Sequence, residues 1–339
     1  MQPTDDQWKK LYDSAIAFKA AEPWNVLENY HIFAVKEPNT NRTGYCCVMG
    51  AGGELFGMAL YLGTGGLNTL LAMFNDQLAD DPLYVQHCLM LSFDDREDLH
   101  PNEREQIKAL GLKFRGRGAW PAFKIHEPGF YPWPLQTAED VIFLTAALEQ
   151  AIYVAQAAAE DPDAYLEFQD KKVLTRVPAS EINGAIAWDT EWLIPEEEAQ
   201  EELPQSVAVI NELQLAKLKK TIKRTSGIWE LDCFFMPTPV SDEGRPYFPM
   251  GFVVLDQQSE QILMMHMFEQ QDGFSIIPNK LLDLLETTKL LPAKLVAPNS
   301  NVFDYIEPII SSFDLSCYVS DGPMMMDEFK QSMFNQLRG

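Results

Sequence analysis

The chain has 339 residues, with 26 lysines and arginines against 50 aspartates and glutamates, and so a formal charge of −24. That charge repels phosphate backbones and anionic lipid, which disfavours general nucleic-acid binding and attachment to a membrane surface. With 46% hydrophobic and 11% aromatic residues the chain is not disordered as a whole, and its length predicts two domains at about 150 residues each.

The opening Met1-Gln2-Pro3-Thr4-Asp5-Asp6 has neither the basic nor the apolar region of an export signal. The most apolar stretch, Val141 to Ala159, is interrupted by Glu149, Gln150 and Gln156. It falls short of the clean run of about 20 residues that a bilayer requires, so no membrane span is expected. Five cysteines without Cys-x-x-Cys spacing fit neither a disulfide framework nor a zinc ribbon, and reduced thiols in a cytoplasmic protein are the simplest reading.

Thr4 and Gln7 have the spacing of a capping box, and Trp8, Leu11, Tyr12, Ala15 and Phe18 repeat at helical intervals, predicting an amphipathic opening helix. Strands are predicted over His31 to Lys36, Tyr45 to Met49 and Leu55 to Leu62, the last two joined by the turn Gly50-Ala51-Gly52-Gly53. A helix over about Gly66 to Leu78, a buried strand over His87 to Phe93, a helix over Pro101 to Leu110 and a strand over Ala122 to His126 come next. Ala138 to Ala159 is apolar on nearly every face and is expected to be the central buried helix. Lys172 to Val177 and Ala185 to Leu193 read as a hairpin that closes an N-terminal domain, 1–193.

Residues 194–206, IPEEEAQEELPQS, put five glutamates between two prolines with no apolar periodicity. An acidic linker is expected there, the alternative being an acidic surface loop.

The C-terminal domain, 207–339, repeats nearly the same order. A helix over Val207 to Lys223 precedes strands over Ile228 to Met236, Tyr247 to Leu255 and Gln261 to Phe268. Helices over Ile277 to Thr287, Val302 to Ser311 and Pro323 to Leu337 then alternate with strands over Lys294 to Ala297 and Leu315 to Val319. Each half therefore reads α-βββαβαβα, an α/β (α+β) chain of two mixed sheets. Trp24 with Trp229, Tyr45 with Tyr247, and Met49-Gly50 with Met250-Gly251 fall at similar offsets and suggest an internal duplication.

Gly244-Arg245-Pro246-Tyr247-Phe248-Pro249 leading into Val253-Val254-Leu255-Asp256, then Ile262-Leu263, resembles the second and third strands of the ribonuclease H-like fold, which integrases, transposases and many nucleases share. On Tyr45-Cys46-Cys47-Val48-Met49-Gly50 with Gly53-Glu54, and on Trp229-Glu230-Leu231-Asp232, the whole chain resembles an uncharacterised bacterial two-domain family, which implies no activity. The ribonuclease H-like resemblance implies carboxylates on the first strand, the next helix, the end of the fourth strand and the last helix, holding two divalent ions. Asp232, Asp283, Glu286 and Asp327 match three of these places, but Asn299 occupies the fourth, and an amide brings no charge to a hard cation. In the first half Asp94 and Asp95 end the fourth strand, while the first strand, Ile32-Phe33-Ala34-Val35, has no acid. These six carboxylates are the candidate metal ligands; no catalytic residue and no cofactor is assigned.

Asp94 to His100 offers several oxygens and an imidazole, though Asp98 or His100 serves more simply as the cap of the helix at Pro101. Gly63-Thr64-Gly65-Gly66 lacks a complete phosphate-loop fingerprint and reads as a tight turn. Cys46 and Cys47 alternate in a strand, so one is expected inside and one outside. Lys217, Lys219, Lys220, Lys223 and Arg224 read as the solvated face of a helix. The aromatics Trp120, Phe130, Tyr131 and Trp133, set among prolines, are the candidate binding surface. The reading is a non-catalytic binding or protein-interaction module whose partner is a protein or small ligand; the alternative is a divalent-metal nuclease or phosphodiesterase.

Overall fold

A computed structural model describes residues 1–40, 42–78, 80–166, 171–182, 185–196, 210–225, 227–241 and 244–338. It divides into two compact units, Met1–Pro128 with Pro132–Gln200, and Glu201–Gly339 with Gly129–Tyr131. Most of the glutamate-rich segment expected to be a linker, from residue 197 onward, lies outside the described residues.

The first unit opens with helix α1 (Asp5–Ala21), capped as its spacing predicts: the Gln7 N–H donates to Thr4 Oγ1 at 3.3 Å, and the Thr4 N–H donates to Gln7 Oε1 at 2.7 Å. A meander of β1 (Phe33–Lys36), β2 (Thr43–Met49) and β3 (Gly57–Leu62) leads into α2 (Gly63–Phe74), the short α3 (Pro82–Val85) and β4 (Cys88–Asp94). Next come α4 (Pro101–Ala109), β5 (Trp120–His126), β6 (Trp133–Pro134), α5 (Ala138–Glu160), α6 (Pro162–Leu166) and the hairpin of β7 (Val173–Ile182) and β8 (Ala185–Leu193). The eight strands form one sheet in the order β6-β5-β4-β3-β2-β1-β7-β8, in which β1 and β7 are the parallel pair.

Both faces of this sheet are covered. Phe33, Val35, Cys46, Val48 and Leu60 pack with Leu11 and Phe18 of α1 and with Val141, Leu144 and Leu148 of α5, while Ala34, Tyr45, Cys47 and Tyr61 pack with Leu67 and Leu70 of α2. Cys46 and Cys47 therefore face opposite sides yet are both buried, which corrects the expectation that one would be outside. Burial pushes the Cys46 thiol well above its usual range and that of Cys47 up to about 12, leaving both protonated and unreactive at neutral pH. Helix α5 is the described helix long and apolar enough to cross a bilayer, and 67% of its most apolar window is buried inside the protein. Its apolar surface serves the core.

The second unit contains α7 (Glu212–Thr221), β9 (Lys223–Arg224), β10 (Ile228–Phe235), β11 (Met250–Asp256), β12 (Gln261–Phe268), α8 (Gln270–Thr288), β13 (Leu290–Leu291), β14 (Lys294–Ala297), α9 (Asn301–Phe313), β15 (Ser316–Val319) and α10 (Met325–Arg338). Its main sheet runs β12-β11-β10-β14-β15: three antiparallel strands joined to two parallel ones reached through helices, the arrangement expected of the ribonuclease H-like fold. Helix α8 starts at Gln270, ahead of the expected Ile277, and carries Pro278 inside it. Proline removes one backbone bond from a helix, and the packing of α8 on β11, β12 and α9 holds the helix through that loss.

The strand pairings do not support the duplication that the element order suggests. In the second unit the fourth strand of the series, β14, lies parallel beside β10; in the first, β4 lies antiparallel beside β3, and β7 takes the place next to β1. Similar sequences of elements are wired into different sheets.

Candidate functional site

Strand β10 carries two acids on one face, Glu230 and Asp232, because strand side chains alternate. Their neighbours on that face, Phe234 and Met236, pack with Met324 and Met326 at the start of α10. Both carboxylates are buried, 1% and 3% exposed, and α10 brings a partner to each. Glu230 accepts from the Met326 N–H at 2.8 Å and from Gln257 Nε2 at 2.6 Å, so it caps the positive end of the helix. Asp232 accepts from its neighbouring Cys233 N–H at 2.7 Å and forms an ion pair with Lys330, one further turn along α10. Lys330 also lies over the Phe234 ring, 4.7 Å from its centre. Its ammonium supplies the positive charge that a divalent ion would bring to Asp232.

The remaining carboxylates of the second unit are directed elsewhere. Asp283 and Glu286 on α8 face α7, where Gln214 Nε2 donates to Asp283 Oδ1 at 3.0 Å and to Glu286 Oε2 at 2.8 Å, and Lys217 Nζ meets Glu286 Oε1 at 2.7 Å. The hydrogen bonds and charge of Lys217 hold the Glu286 carboxyl below its usual range. Thus Lys217 lies on a solvated face as expected and in addition bridges the two helices. Helix α8 packs with α9, where burial pushes the Tyr305 hydroxyl up to about 12. Asp327 accepts from the Met324 N–H at 2.9 Å and fastens the first turn of α10, and Asn299 Oδ1 accepts from the Asn301 N–H at 3.0 Å at the start of α9.

In the first unit Asp94 pairs with Lys124 at 3.5 Å. Asp95 accepts from the Gly118 N–H at 2.6 Å and from Arg117 Nε at 3.3 Å, and these bonds lower its carboxyl from the usual range. Of the two candidate caps, His100 is the one used: its Nδ1 accepts from the Asn102 N–H at 3.2 Å, and its own N–H donates to Glu103 Oε2 at 2.9 Å. Glu103 also accepts from the Phe123 N–H at 3.1 Å, tying α4 to β5. Burial raises the Glu103 carboxyl from its ordinary value in spite of those bonds. Among the described residues no three of the histidines, cysteines and carboxylates are grouped to hold a metal ion.

The aromatic candidates are divided between the units. In the first, Trp120 packs on Phe114 with ring centres 5.7 Å apart under the Arg96 guanidinium, and Trp133 lies 4.7 Å from the His100 ring. In the second, Phe130 bridges to Tyr247 beneath Arg245, while the exposed Tyr131 donates its N–H to Pro246 O at 2.9 Å. Lys330 and Glu230 escape sequence reasoning as site residues. The visible signal is the pair of acids at alternate positions in a strand otherwise apolar, which demands buried partners.

No curated protein matches the chain. Among solved structures it is similar to the HTLV-2 integrase catalytic core domain in complex with magnesium, in its dimeric and trimeric forms. Each is 13% identical with a TM-score of 0.25, over 34% of this chain and 72% of that one, a likeness too slight to carry any argument. Residues 8–176 match a family described as a domain of unknown function, DUF7309, and residues 214–334 match a second, DUF6930. The two matches fall on the two halves of the chain, one domain of unknown function in each.

Proposed function

We propose that this protein acts by binding a protein or small ligand, and that the carboxylates of its second unit serve structure in place of catalysis. The observation that carries this reading is the ion pair between Asp232 and Lys330. Two-metal phosphoryl transfer needs several carboxylates converging on ions about 3.5–4 Å apart. Here the first-strand acid is committed to a lysine, the acids of α8 are committed to α7, and the fourth-strand place holds the amide Asn299, used as a cap. The net charge of −24 opposes the approach of a nucleic acid.

The test is incubation of the purified chain with single- and double-stranded oligonucleotides in magnesium or manganese. No cleavage is expected. Cleavage that disappears in Asp232→Asn would replace this reading with the nuclease, whereas cleavage that survives the substitution belongs to another protein in the preparation or to another site.

A further inference from the structure

The first unit contains a cavity of about 470 Å³ at the ends of strands β1 and β7, within the range of small-molecule sites. Leu67 and Leu71 of α2, Val154 of α5 and Trp192 of β8 give it apolar walls. Its polar lining includes His31 and the consecutive Lys171 and Lys172. Both lysines are exposed, and Lys171 adopts φ 56°, a left-handed conformation uncommon for a residue with a side chain. Two adjacent cations beside an apolar chamber are complementary to an apolar body with an anionic head. His31 Nδ1 accepts from the Glu28 N–H at 3.0 Å, which leaves Nε2 as the protonated, donating nitrogen of the neutral ring. Burial lowers the pKa of this histidine and favours that neutral form.

We propose that this cavity binds a medium-chain alkyl carboxylate, with the chain against Leu67, Val154 and Trp192 and the head group at Lys171 and Lys172. A saturated chain of about ten carbons suits a chamber of this size. The inference rests on the reading of the protein as a binding module and gives that module a ligand class.

The experiment titrates the full chain calorimetrically with decanoate and, separately, with decanol, which has the same chain and no charge. The double variant Lys171→Gln/Lys172→Gln is expected to weaken decanoate by about tenfold, the loss of a charge-assisted contact, and to leave decanol unchanged. Leu71→Trp, at a position already exposed, is expected to weaken both by narrowing the cavity. Urea midpoints equal to the parent's show that the variants are folded. Failure of the parent to bind decanoate, or decanoate binding that neither variant weakens, overturns the proposal. Because the titration involves no nucleic acid, its failure leaves the non-catalytic reading intact, and Asp232-dependent cleavage would end that reading without touching the cavity.

Discussion

Lys330 of α10 neutralises Asp232 of β10 inside the second unit, and Asp232 is 3% exposed there. A buried ion pair adds little net stability, because desolvation offsets attraction, but removing one partner strands the other charge. Lys330→Met is therefore expected to cost about 3 kcal/mol, the lower end of the range for broken buried pairs because the lysine side chain keeps 24% of its exposure. Adding Asp232→Asn to that variant removes the stranded charge and is expected to recover part of the loss. Urea unfolding of the parent, the single and the double variant measures this; a double variant less stable than the single one would show that the pair does not govern Asp232.

Gly57 begins β3 where it passes β4, and a Cβ built there would lie 2.1 Å from the Leu91 carbonyl oxygen. Backbone cannot yield as a flexible side chain does. Gly57→Ala is expected to destabilise the first unit by at least about 2 kcal/mol, as overpacked core substitutions do. A urea midpoint within error of the parent would contradict this contact.

Element types were legible because local signals agreed with the fold. Thr4 and Gln7 announce the start of α1, and the alternation of Glu230, Asp232 and Phe234 against Leu231 and Phe235 announces a strand with two covered faces. Features set by tertiary contact were not legible. The apolar run from Cys88 to Phe93 reads equally well as a strand beside β1 or beside β3, and its antiparallel place beside β3 is decided by long-range packing such as the approach of Gly57 to Leu91. The acids of the candidate metal site were legible as residue types, but the cations and amides that occupy them come from elements remote in sequence: Lys330 from α10, Lys217 and Gln214 from α7. Three-residue elements of the chain such as the Pro23–Asn25 turn, and the two-residue strands β9 and β13, are too short to show any periodicity.

Leu148 lies at the centre of α5, fully buried with Val141 and Leu144 against the first sheet. Leu148→Asp places an unpaired charge among apolar side chains and is expected to cost several kcal/mol, about 4 or more. The variant is expected to unfold at a much lower urea concentration or to be recovered only in insoluble form. Ile152, one turn further along α5, is only partly buried, and Ile152→Asp should cost markedly less. Equal losses at the two positions would show that burial along α5 does not grade as the structure has it.

His100 makes the last prediction, a dependence of stability on pH. Its Nδ1 must be unprotonated to accept from the Asn102 N–H and cap α4. Burial, followed by the charges of Lys124 and Arg104, lowers its pKa below the ordinary 6.5. In the unfolded chain the ring binds its proton more readily than in the folded one, so acid favours unfolding. The contribution is fully present above the unfolded value of 6.5 and is lost as the pH falls from there through the lowered folded value. Asparagine caps helices with a side-chain oxygen and does not titrate. His100→Asn is therefore expected to stay within about 1 kcal/mol of the parent at pH 7.5 and to lose less stability than the parent between pH 7 and pH 5. Unfolding free energies at several pH values decide it. Parallel curves for the two proteins would mean that the imidazole takes no part in the acid sensitivity and that the cap survives protonation.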